Sequence, residues 1–247
     1  MKFNNKTAVV TGSASGMGRE TAILFAKEGY TVICTDIDKV LLDKTVSDIK
    51  KFEGSVHGIA ADITKVDDIK NLADEIEKKF SRINVLVNCA GAFVSIDKLV
   101  DHKEEDMDLI IDINLKGTYR CCKYLIPIML KHNNSIIINI GSQSGKLPQP
   151  TASIYAAAKA AVINFTKSLE LELKEDGIKV VVINPGSTST AFHGKRDVKL
   201  DNEFLAKFLS PVDIAQACLF VAEQSVKCIV KEIDVIPVSE KVVVEFE

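Results

Sequence analysis

The chain has 247 residues, of which 47% are hydrophobic and 26% are charged, and its formal net charge is −3. This composition is typical of a folded globular protein and excludes a disordered chain, a collagen and a small disulfide-rich scaffold. Because the sequence has no block of lysine or arginine, we expect neither nucleic acid nor a membrane surface as a partner. No segment approaches the roughly 18 apolar residues of a membrane span, and no signal sequence is predicted.

The cysteines and histidines suggest neither disulfides nor a metal site. No Cys-x-x-Cys pair occurs, and each cysteine lies in an apolar segment, so we interpret all of them as reduced core residues of a cytoplasmic protein. The histidines have no spacing typical of metal ligands. The residues concerned are Cys34, Cys89, Cys121, Cys122, Cys218, Cys228, His57, His102, His132 and His193.

Short apolar, β-branched runs alternate with helix-length amphipathic segments along the whole chain. This alternation predicts a single doubly wound α/β domain over residues 1–247, with a mostly parallel sheet of about seven strands and helices on both faces. The aperiodic stretch 185–210 is predicted to be a substrate lid. Strands are predicted at 7–10, 31–35, 55–60, 85–87, 135–140, 179–183 and 233–236, and helices at 16–28, 66–80, 153–174 and 211–222.

A glycine-rich loop, Thr11-Gly12-x-x-x-Gly16-x-Gly18, joins the first predicted strand to the first helix. Glycine lets the backbone approach a pyrophosphate, and the helix N-terminus supplies N–H groups, so the loop predicts dinucleotide binding. A glycine-rich turn without a ligand is the alternative. The spacing resembles the cofactor loop of the classical short-chain dehydrogenase/reductase family. That resemblance implies a Rossmann-type domain and cofactor contacts from Gly12, Ser15, Gly16, Met17 and Gly18.

Asp36 ends the second predicted strand, at about the 20-residue distance from the glycines expected of a carboxylate that binds the adenosine ribose. It would accept the ribose hydroxyls and repel a 2′-phosphate. A turn aspartate that only caps the next helix is the alternative. Family members that prefer NADP typically have a basic residue just before the second glycine or just after this strand. Ser15 and Ile37 occupy those places, so NAD is the predicted cofactor.

Three further segments resemble nucleotide-binding elements of the same family. Asp62-Ile63 resembles the adenine-binding step, and Asn88-Cys89-Ala90-Gly91 resembles the Asn-Asn-Ala-Gly element, with Cys89 in place of the second asparagine. The segment after the sixth strand resembles the one that lines the nicotinamide carboxamide, with Thr188 in place of an aliphatic residue. The implied cofactor contacts are Asp62, Ile63, Asn88, Ala90, Gly91, Pro185, Gly186, Thr188 and Thr190.

Tyr155 and Lys159 lie one helical turn apart, so their side chains share a helix face. The lysine charge would lower the pKa of the tyrosine, although such a pair is usually only a solvated surface. With Ser142 and Asn114, the pair is similar to the catalytic core of the family. The resemblance implies that Tyr155 is the acid or base and that Ser142 donates a hydrogen bond to the substrate oxygen. It further implies that Lys159 binds the nicotinamide ribose and tunes Tyr155, and that Asn114 holds a proton-relaying water.

The resemblance, which covers residues 6–222, predicts an NAD-dependent oxidoreductase that transfers a hydride between nicotinamide and a secondary alcohol or ketone. Two alternatives stay open: a non-catalytic dinucleotide-binding sensor or scaffold, and an NADP-dependent carbonyl reductase. The expected partner is a small-molecule substrate. The C-terminus departs from the family's Val-Asp-Gly-Gly run, so a homodimer is expected as well as the usual homotetramer. Candidate substrate contacts are Phe93, Ser144, Gln149, Phe192 and His193.

Overall fold

The computed structural model describes residues 6–80, 82–94, 97–132, 134–190 and 207–239. Seven strands in these ranges form one sheet with the order β3-β2-β1-β4-β5-β6-β7, and every neighbouring pair is parallel. The predicted fold class is therefore confirmed. The strands are β1 Thr7–Thr11, β2 Thr31–Asp36, β3 Val56–Ala60, β4 Val85–Asn88, β5 Ser135–Ile140, β6 Ile178–Pro185 and β7 Glu232–Val235.

The central strands are apolar on both faces because helices cover both sides of the sheet. Every residue of β1, β4 and β5 is buried. The helices are α1 Gly16–Lys27, α2 Lys39–Lys50, α3 Val66–Phe80, α4 Glu104–Ile111, α5 Thr118–Met129, α6 Ser153–Leu173 and α7 Pro211–Ala222. Within the described residues, no helix combines the length and the apolar composition that a membrane crossing requires.

Two hydrophobic clusters hold the helices to the sheet, one on each face. On one face, Phe25 of α1 and Ile214 of α7 pack on β1 and its neighbours. On the other, Leu72 of α3 and Leu125 of α5 pack on the same strands from the opposite side. Helix α7 begins as predicted at Pro211, after a capping box at Ser210. Such caps stabilise a helix start by about 1 kcal/mol.

A π-helical turn, Asp112–Gly117, connects α4 to α5 and was not predicted from the sequence. In a π turn the hydrogen bonds close over five residues, so the helix widens and its side chains shift around the axis. Gly117 lies at the end of this turn, where a Cβ would come within 2.4 Å of Ile63 Cδ1. The absence of a side chain there lets the turn pack directly on the loop after β3.

The prediction that every cysteine is a buried core residue is correct at four of the six positions. Cys34, Cys121, Cys122 and Cys218 are buried, Cys89 is half-buried, and all six cysteines are free thiols. Cys228 is exposed, so our assignment of it to the core was wrong. It lies in the connection between α7 and β7.

Candidate active site

A cavity of about 820 Å³ lies at the carboxyl ends of the parallel strands, where the strand order reverses between β1 and β4. Ligands of open α/β sheets bind at this reversal point. The cavity wall includes all predicted catalytic residues and all predicted cofactor residues except Asn88: Gly12, Ser15, Gly16, Met17, Gly18, Asp36, Asp62, Ile63, Ala90, Gly91, Asn114, Ser142, Tyr155, Lys159, Pro185, Gly186, Thr188 and Thr190.

The glycine loop forms a cradle that side chains would fill. Gly12 has a φ of +67°, and a Cβ there would lie 2.8 Å from Ala90 Cα. A Cβ on Gly18 would lie 2.1 Å from the carbonyl oxygen of Gly12. Helix α1 starts after Ser15, whose side chain makes no capping hydrogen bond. The first turn of α1 therefore directs its N–H groups and its positive dipole end toward the cavity, as a diphosphate requires.

Asp36 is fixed at the carboxyl end of β2 by the backbone around it. Its Oδ2 accepts a hydrogen bond from the N–H of Ala14 at 3.0 Å, and its Oδ1 accepts one from the N–H of Asp38 at 3.1 Å. The cap of α2 is Asp38, whose side chain accepts from Leu41 N–H. Asp36 is thus not the helix cap that we considered as the alternative, and its carboxylate lies in the cavity wall beside the glycine loop.

Asp62 lies in the cavity wall after β3, where the loop itself uses part of its carboxylate. Its Oδ1 accepts hydrogen bonds from Thr64 N–H at 2.9 Å and from Thr64 Oγ1 at 2.7 Å, and Lys65 Nζ lies 3.6 Å from Oδ2. Burial alone would raise the pKa of Asp62, but the Thr64 hydrogen bonds and the Lys65 charge together lower it. The group is therefore a carboxylate at neutral pH.

Asn88 does not line the cavity, although we had grouped it with the cofactor contacts. Its Nδ2 donates to Asn139 Oδ1 at 2.8 Å, and Asn139 in turn donates to Thr166 Oγ1 at 2.9 Å. This buried chain ties β4 to β5 and α6. The loop after β4 is held by Thr11, whose Oγ1 accepts from the N–H groups of residues 89 and 90 at 3.1 Å each.

Ser142 leaves β5 with extended backbone and is almost fully buried. Its Oγ accepts a hydrogen bond from Ser144 N–H at 3.1 Å. A serine hydroxyl has one donor and two acceptor positions, so this bond orients the oxygen and leaves the O–H available to donate into the cavity. The turn that follows packs closely on α6, since a Cβ on Gly145 would lie 2.7 Å from the carbonyl carbon of Lys159.

Lys159 is buried in the cavity wall, and its Nζ lies 5.8 Å from the ring centroid of Tyr155. The ammonium donates a hydrogen bond to the carbonyl of Ile140 at 2.9 Å, so it is directed toward the end of β5. Burial lowers the pKa of Lys159 from 10.5 to about 8. An amine with such a pKa is still mostly protonated at pH 7, so its positive charge lies in the cavity wall.

Asn114 lies in the π-helical turn, and its side chain holds the loop after β4. Its Nδ2 donates to the carbonyls of Ala92 at 2.7 Å and Ile110 at 2.9 Å, and its Oδ1 accepts from Ala92 N–H at 3.3 Å. A Cβ on Gly91 would lie 3.0 Å from Asn114 Oδ1 and 3.6 Å from Lys159 Nζ. Asn114 is therefore a structural asparagine next to the lysine, which we had weighed beside its proposed role in holding water.

The family profile described as short chain dehydrogenase matches residues 6–200 of this sequence. The chain belongs to the short-chain dehydrogenase family. The 3-oxoacyl-[acyl-carrier-protein] reductase FabG of Thermotoga maritima is 38% identical over 228 residues, which span 90% of this chain and 92% of that protein. An uncharacterised oxidoreductase of Bacillus subtilis, YxbG, is 35% identical over 234 residues, which span 90% of this chain and 85% of the relative.

Solved structures of the family superpose over nearly the whole chain. The 3-ketoacyl-(acyl-carrier-protein) reductase of Brucella melitensis, complexed with NADH, is 28% identical and has a TM-score of 0.85, covering 94% of this chain and 97% of its own. A metagenomic short-chain oxidoreductase in complex with NADP is 26% identical and has a TM-score of 0.84, covering 97% of this chain and 100% of its own. These two neighbours bind different nicotinamide cofactors, so cofactor choice must be argued from the residues of each dehydrogenase.

The segment 185–210, which we predict to be a substrate lid, is described only at its two ends. Ser189 N–H donates to the carbonyl of Leu209 at 2.8 Å, and Leu209 N–H donates to the carbonyl of Ser187 at 2.9 Å. These bonds bring the ends of the segment 185–210 together. Of the candidate substrate contacts, Phe93, Ser144 and Gln149 line the cavity, whereas Phe192 and His193 lie outside the described residues.

Several cavity residues were not predicted from the sequence because no motif includes them. They are apolar and lie in the loops after β4 and β5, in α4 and in the π turn. Their only signal in the sequence is proximity to the motif residues. They are Val94, Leu109, Ile113, Leu147 and Pro148.

Proposed function

We propose that this short-chain dehydrogenase transfers a hydride between NAD and a ketone or secondary alcohol, with Tyr155 as the proton donor or acceptor. The observation that carries the proposal is the position of Ser142, Tyr155 and Lys159 in one cavity wall with the glycine cradle. The cradle fits a dinucleotide because a side chain at Gly12 or Gly18 would collide with backbone. When bound, the nicotinamide ring supplies the hydride donor or acceptor.

The protein residues bind the cofactor, hold the substrate oxygen and transfer the proton. The first turn of α1 binds the diphosphate through its N–H groups, and Asp36 accepts the hydroxyls of the adenosine ribose. Ser142 donates its O–H to the substrate oxygen and holds it where negative charge develops during reduction. Tyr155 donates its phenolic proton to that oxygen, or removes the proton during oxidation. The buried ammonium of Lys159 stabilises the tyrosinate that results.

The preference for NAD rests on the charges around Asp36. A 2′-phosphate there would meet the carboxylate of Asp36, and Ile37 offers it no positive charge. Among the described residues of the cavity wall, the only lysine or arginine is Lys159. Its ammonium bonds the carbonyl of Ile140 at the end of β5, three strands from β2, or about 14 Å at the usual strand spacing. That distance is too great for direct contact with a 2′-phosphate.

We propose a 3-oxoacyl thioester as the first ketone to test, because that compound class is named in a 38% identical relative. The wall of the cavity that holds Tyr155 supports this choice. It carries Phe93, Leu109, Ile113 and Leu147, which offer the apolar surface that an acyl chain would bury.

The proposal is tested by fluorescence titration with NADH and NADPH, followed by turnover of acetoacetyl-CoA with the preferred cofactor. The chain has no tryptophan, so the emission of the nicotinamide is measured without protein background. We expect tighter binding of NADH and reduction of the ketone, and loss of turnover with retained NADH binding in Tyr155→Phe. Tighter binding of NADPH would support the NADP-dependent reductase instead. Binding without turnover of any ketone or alcohol would support the non-catalytic alternative.

We also propose that the enzyme is a cytoplasmic homodimer or homotetramer. All six thiols are free, which is usual in a reducing compartment. Large apolar side chains are exposed in the last turn of α6, on α7 and around β7, and a second copy of the chain would cover them. Light scattering on the purified protein tests the oligomeric state.

A further inference from the structure

The last strand of the sheet carries two carboxylates that face the turn after Ser142. Glu232 and Asp234 alternate along β7, so they lie on the same face of the strand. Lys146 Nζ lies 2.9 Å from Glu232 Oε1 and 2.5 Å from Asp234 Oδ2. Lys146 immediately follows the short helical turn Gln143–Gly145. One ammonium group therefore joins β7 to the turn that carries Ser142.

A buried asparagine of β6 makes a second connection between β7 and the turn after Ser142. Asn184 of β6 is fully buried, and its Nδ2 donates to Glu232 Oε1 at 2.9 Å and to Asp234 Oδ1 at 3.0 Å. Its backbone carbonyl accepts a hydrogen bond from Gln143 Nε2 at 3.2 Å. Both carboxylates are thus fixed by the amide on one side and by Lys146 on the other.

The two carboxylates are charged in this arrangement. Hydrogen bonds from Lys167 and Lys146 hold the pKa of Glu232 below its ordinary value. Burial opposes ionisation of Asp234, yet its pKa is also lowered, by Lys146 and Asn184. The Asp234 contact raises the pKa of Lys146 in return. The ion pairs are therefore formed across the neutral pH range, and they are only partly exposed to solvent.

The turn held by Lys146 touches both catalytic elements. At its start, Ser144 N–H donates to Ser142 Oγ and so sets the position of the hydroxyl oxygen. At its end, Gly145 lies so close to Lys159 that a Cβ would meet backbone at 2.7 Å. A shift of this turn away from β7 would move the Ser142 hydroxyl relative to Tyr155. A misplacement on the order of 1 Å is sufficient to slow an enzymatic reaction markedly.

We propose that Lys146, held by Glu232 and Asp234, is a positioning residue that keeps the Ser142 hydroxyl in register with Tyr155. Lys146 does not line the cavity and acts only through the turn. The inference rests on the proposed function in one respect, since the hydroxyl it positions is the one assigned there to the substrate oxygen. It makes β7 part of the catalytic machinery, although Glu232 and Asp234 do not line the cavity either.

The test compares Lys146→Met with Lys146→Arg and with a matched control, Lys231→Met. The control removes the ion pair between Lys231 and Glu170, whose Nζ and Oε2 lie 2.9 Å apart. Glu170 belongs to α6 and lies away from the turn. We expect Lys146→Met to lower kcat for the ketone about tenfold. This loss is smaller than the one caused by removing the Ser142 hydrogen-bond donor itself, because the variant only displaces that donor. The dissociation constant for NADH stays within twofold of wild type. Lys146→Arg keeps at least half of kcat, and Lys231→Met keeps all of it.

Amide hydrogen exchange of the peptide covering residues 141–147 gives a second readout that needs no turnover. We expect exchange to become at least fivefold faster in Lys146→Met and in Asp234→Asn, and to stay unchanged in Lys231→Met. Wild-type kcat and wild-type exchange in Lys146→Met would overturn the positioning role. If wild type reduces no ketone, the proposed function fails, whereas accelerated exchange in the variants would still establish that β7 holds the turn.

Discussion

The ring of Phe93 meets the ring of Tyr155 edge-on, with centroids 4.8 Å apart and an interplanar angle of 77°. Phe93 belongs to the loop after β4, whereas Tyr155 is the third residue of α6. Phe93 is 7% exposed, so the contact is shielded from water. Edge-to-face pairs contribute about 0.5–1.5 kcal/mol beyond the area they bury. The contact therefore restricts the tyrosine ring to one orientation in the cavity.

Replacing this aromatic contact should impair the chemical step and spare cofactor binding. For Phe93→Leu we expect kcat to fall by about two- to tenfold, the range that the energy of an aromatic pair corresponds to. The NADH dissociation constant stays within twofold. The matched control is Phe165→Leu, which removes a ring contact with Tyr119 at 6.4 Å, away from the cavity. Equal kcat values in the two variants would contradict the positioning effect.

The carboxylate of Asp36 should account for the preference between NADH and NADPH. Asp36→Asn keeps an oxygen that can accept from Ala14 N–H and removes the negative charge. We expect the ratio of the NADPH and NADH dissociation constants to fall about tenfold, which corresponds to about 1.4 kcal/mol. Asp43→Asn is the control, because Asp43 pairs with Lys39 on the exposed face of α2. An unchanged ratio in Asp36→Asn would make Asp36 a purely structural residue.

Only one cysteine, Cys228, should react rapidly with a thiol reagent in the native protein. Burial raises the pKa of Cys34, Cys89 and Cys121 to about 12, so the reactive thiolate is scarce at these positions. Cys228 is exposed. We expect one fast equivalent in the reaction of the native protein with a chromogenic disulfide at pH 8, and none in Cys228→Ser. More than one fast equivalent in wild type would contradict the scarcity of thiolate at the other positions.

The strands and the loops that follow them could be predicted because their signals are local. An apolar β-branched run such as Ile136 to Ile140 indicates a buried strand without reference to the rest of the chain. Glycines at a strand-to-helix junction likewise predict a cradle from their spacing alone. The predicted ends of β5 match the observed ones, and the other strand ends differ by at most two residues, since a strand's last residues are defined by the neighbour they pair with.

The remaining features depend on contacts between distant segments. The π turn around Asn114 exists where that side chain bonds the loop at Ala92 and where Gly117 packs on Ile63. The helical periodicity of the sequence does not predict such a turn, because periodicity describes only one element at a time. The ion pairs of Lys146 with β7 join residues that are almost ninety positions apart. Asn88 was grouped with the cofactor contacts for its motif, whereas its partner Asn139 shows that it ties two strands together.

The buried lysine should make the free energy of unfolding rise with pH in the alkaline range. Burial lowers the pKa of Lys159 from 10.5 to about 8. Below pH 8 both the folded and the unfolded chain carry the proton, and burying the charge costs up to about 3 kcal/mol. Between pH 8 and 10.5 the unfolded chain binds more protons, so the free energy of unfolding rises with pH and the cost disappears.

Denaturant unfolding of the cofactor-free protein at pH 7 and pH 10.5 measures this effect. We expect the stability of Lys159→Met relative to wild type to fall by up to about 3 kcal/mol between the two pH values. Lys44→Met, which removes an exposed lysine from α2, is the control and should show no such change. A constant difference between Lys159→Met and wild type would mean that the buried amine titrates alike in both states.

The role of glycine in the cradle can be tested by comparing Gly12 with Gly177, which has a similar φ and different surroundings. Gly12 and Gly177 have φ values of +67° and +72°. A Cβ on Gly12 would lie 2.8 Å from Ala90 Cα, whereas a Cβ on Gly177 would meet nothing within 4 Å. An alanine at either position has the strain of a left-handed backbone, about 1 kcal/mol, but only at position 12 does it also push against backbone.

We therefore expect Gly177→Ala to lower the free energy of unfolding by about 1 kcal/mol and to leave NADH binding unchanged. Gly12→Ala should lower it by more than about 2 kcal/mol, since the loop after β4 must move to make room. The same movement displaces Ala90 and Gly91 in the cavity wall, so NADH binding should weaken at least tenfold. Equal losses of stability and of NADH affinity in the two variants would show that strain alone, and not the close approach of the two loops, requires glycine at position 12.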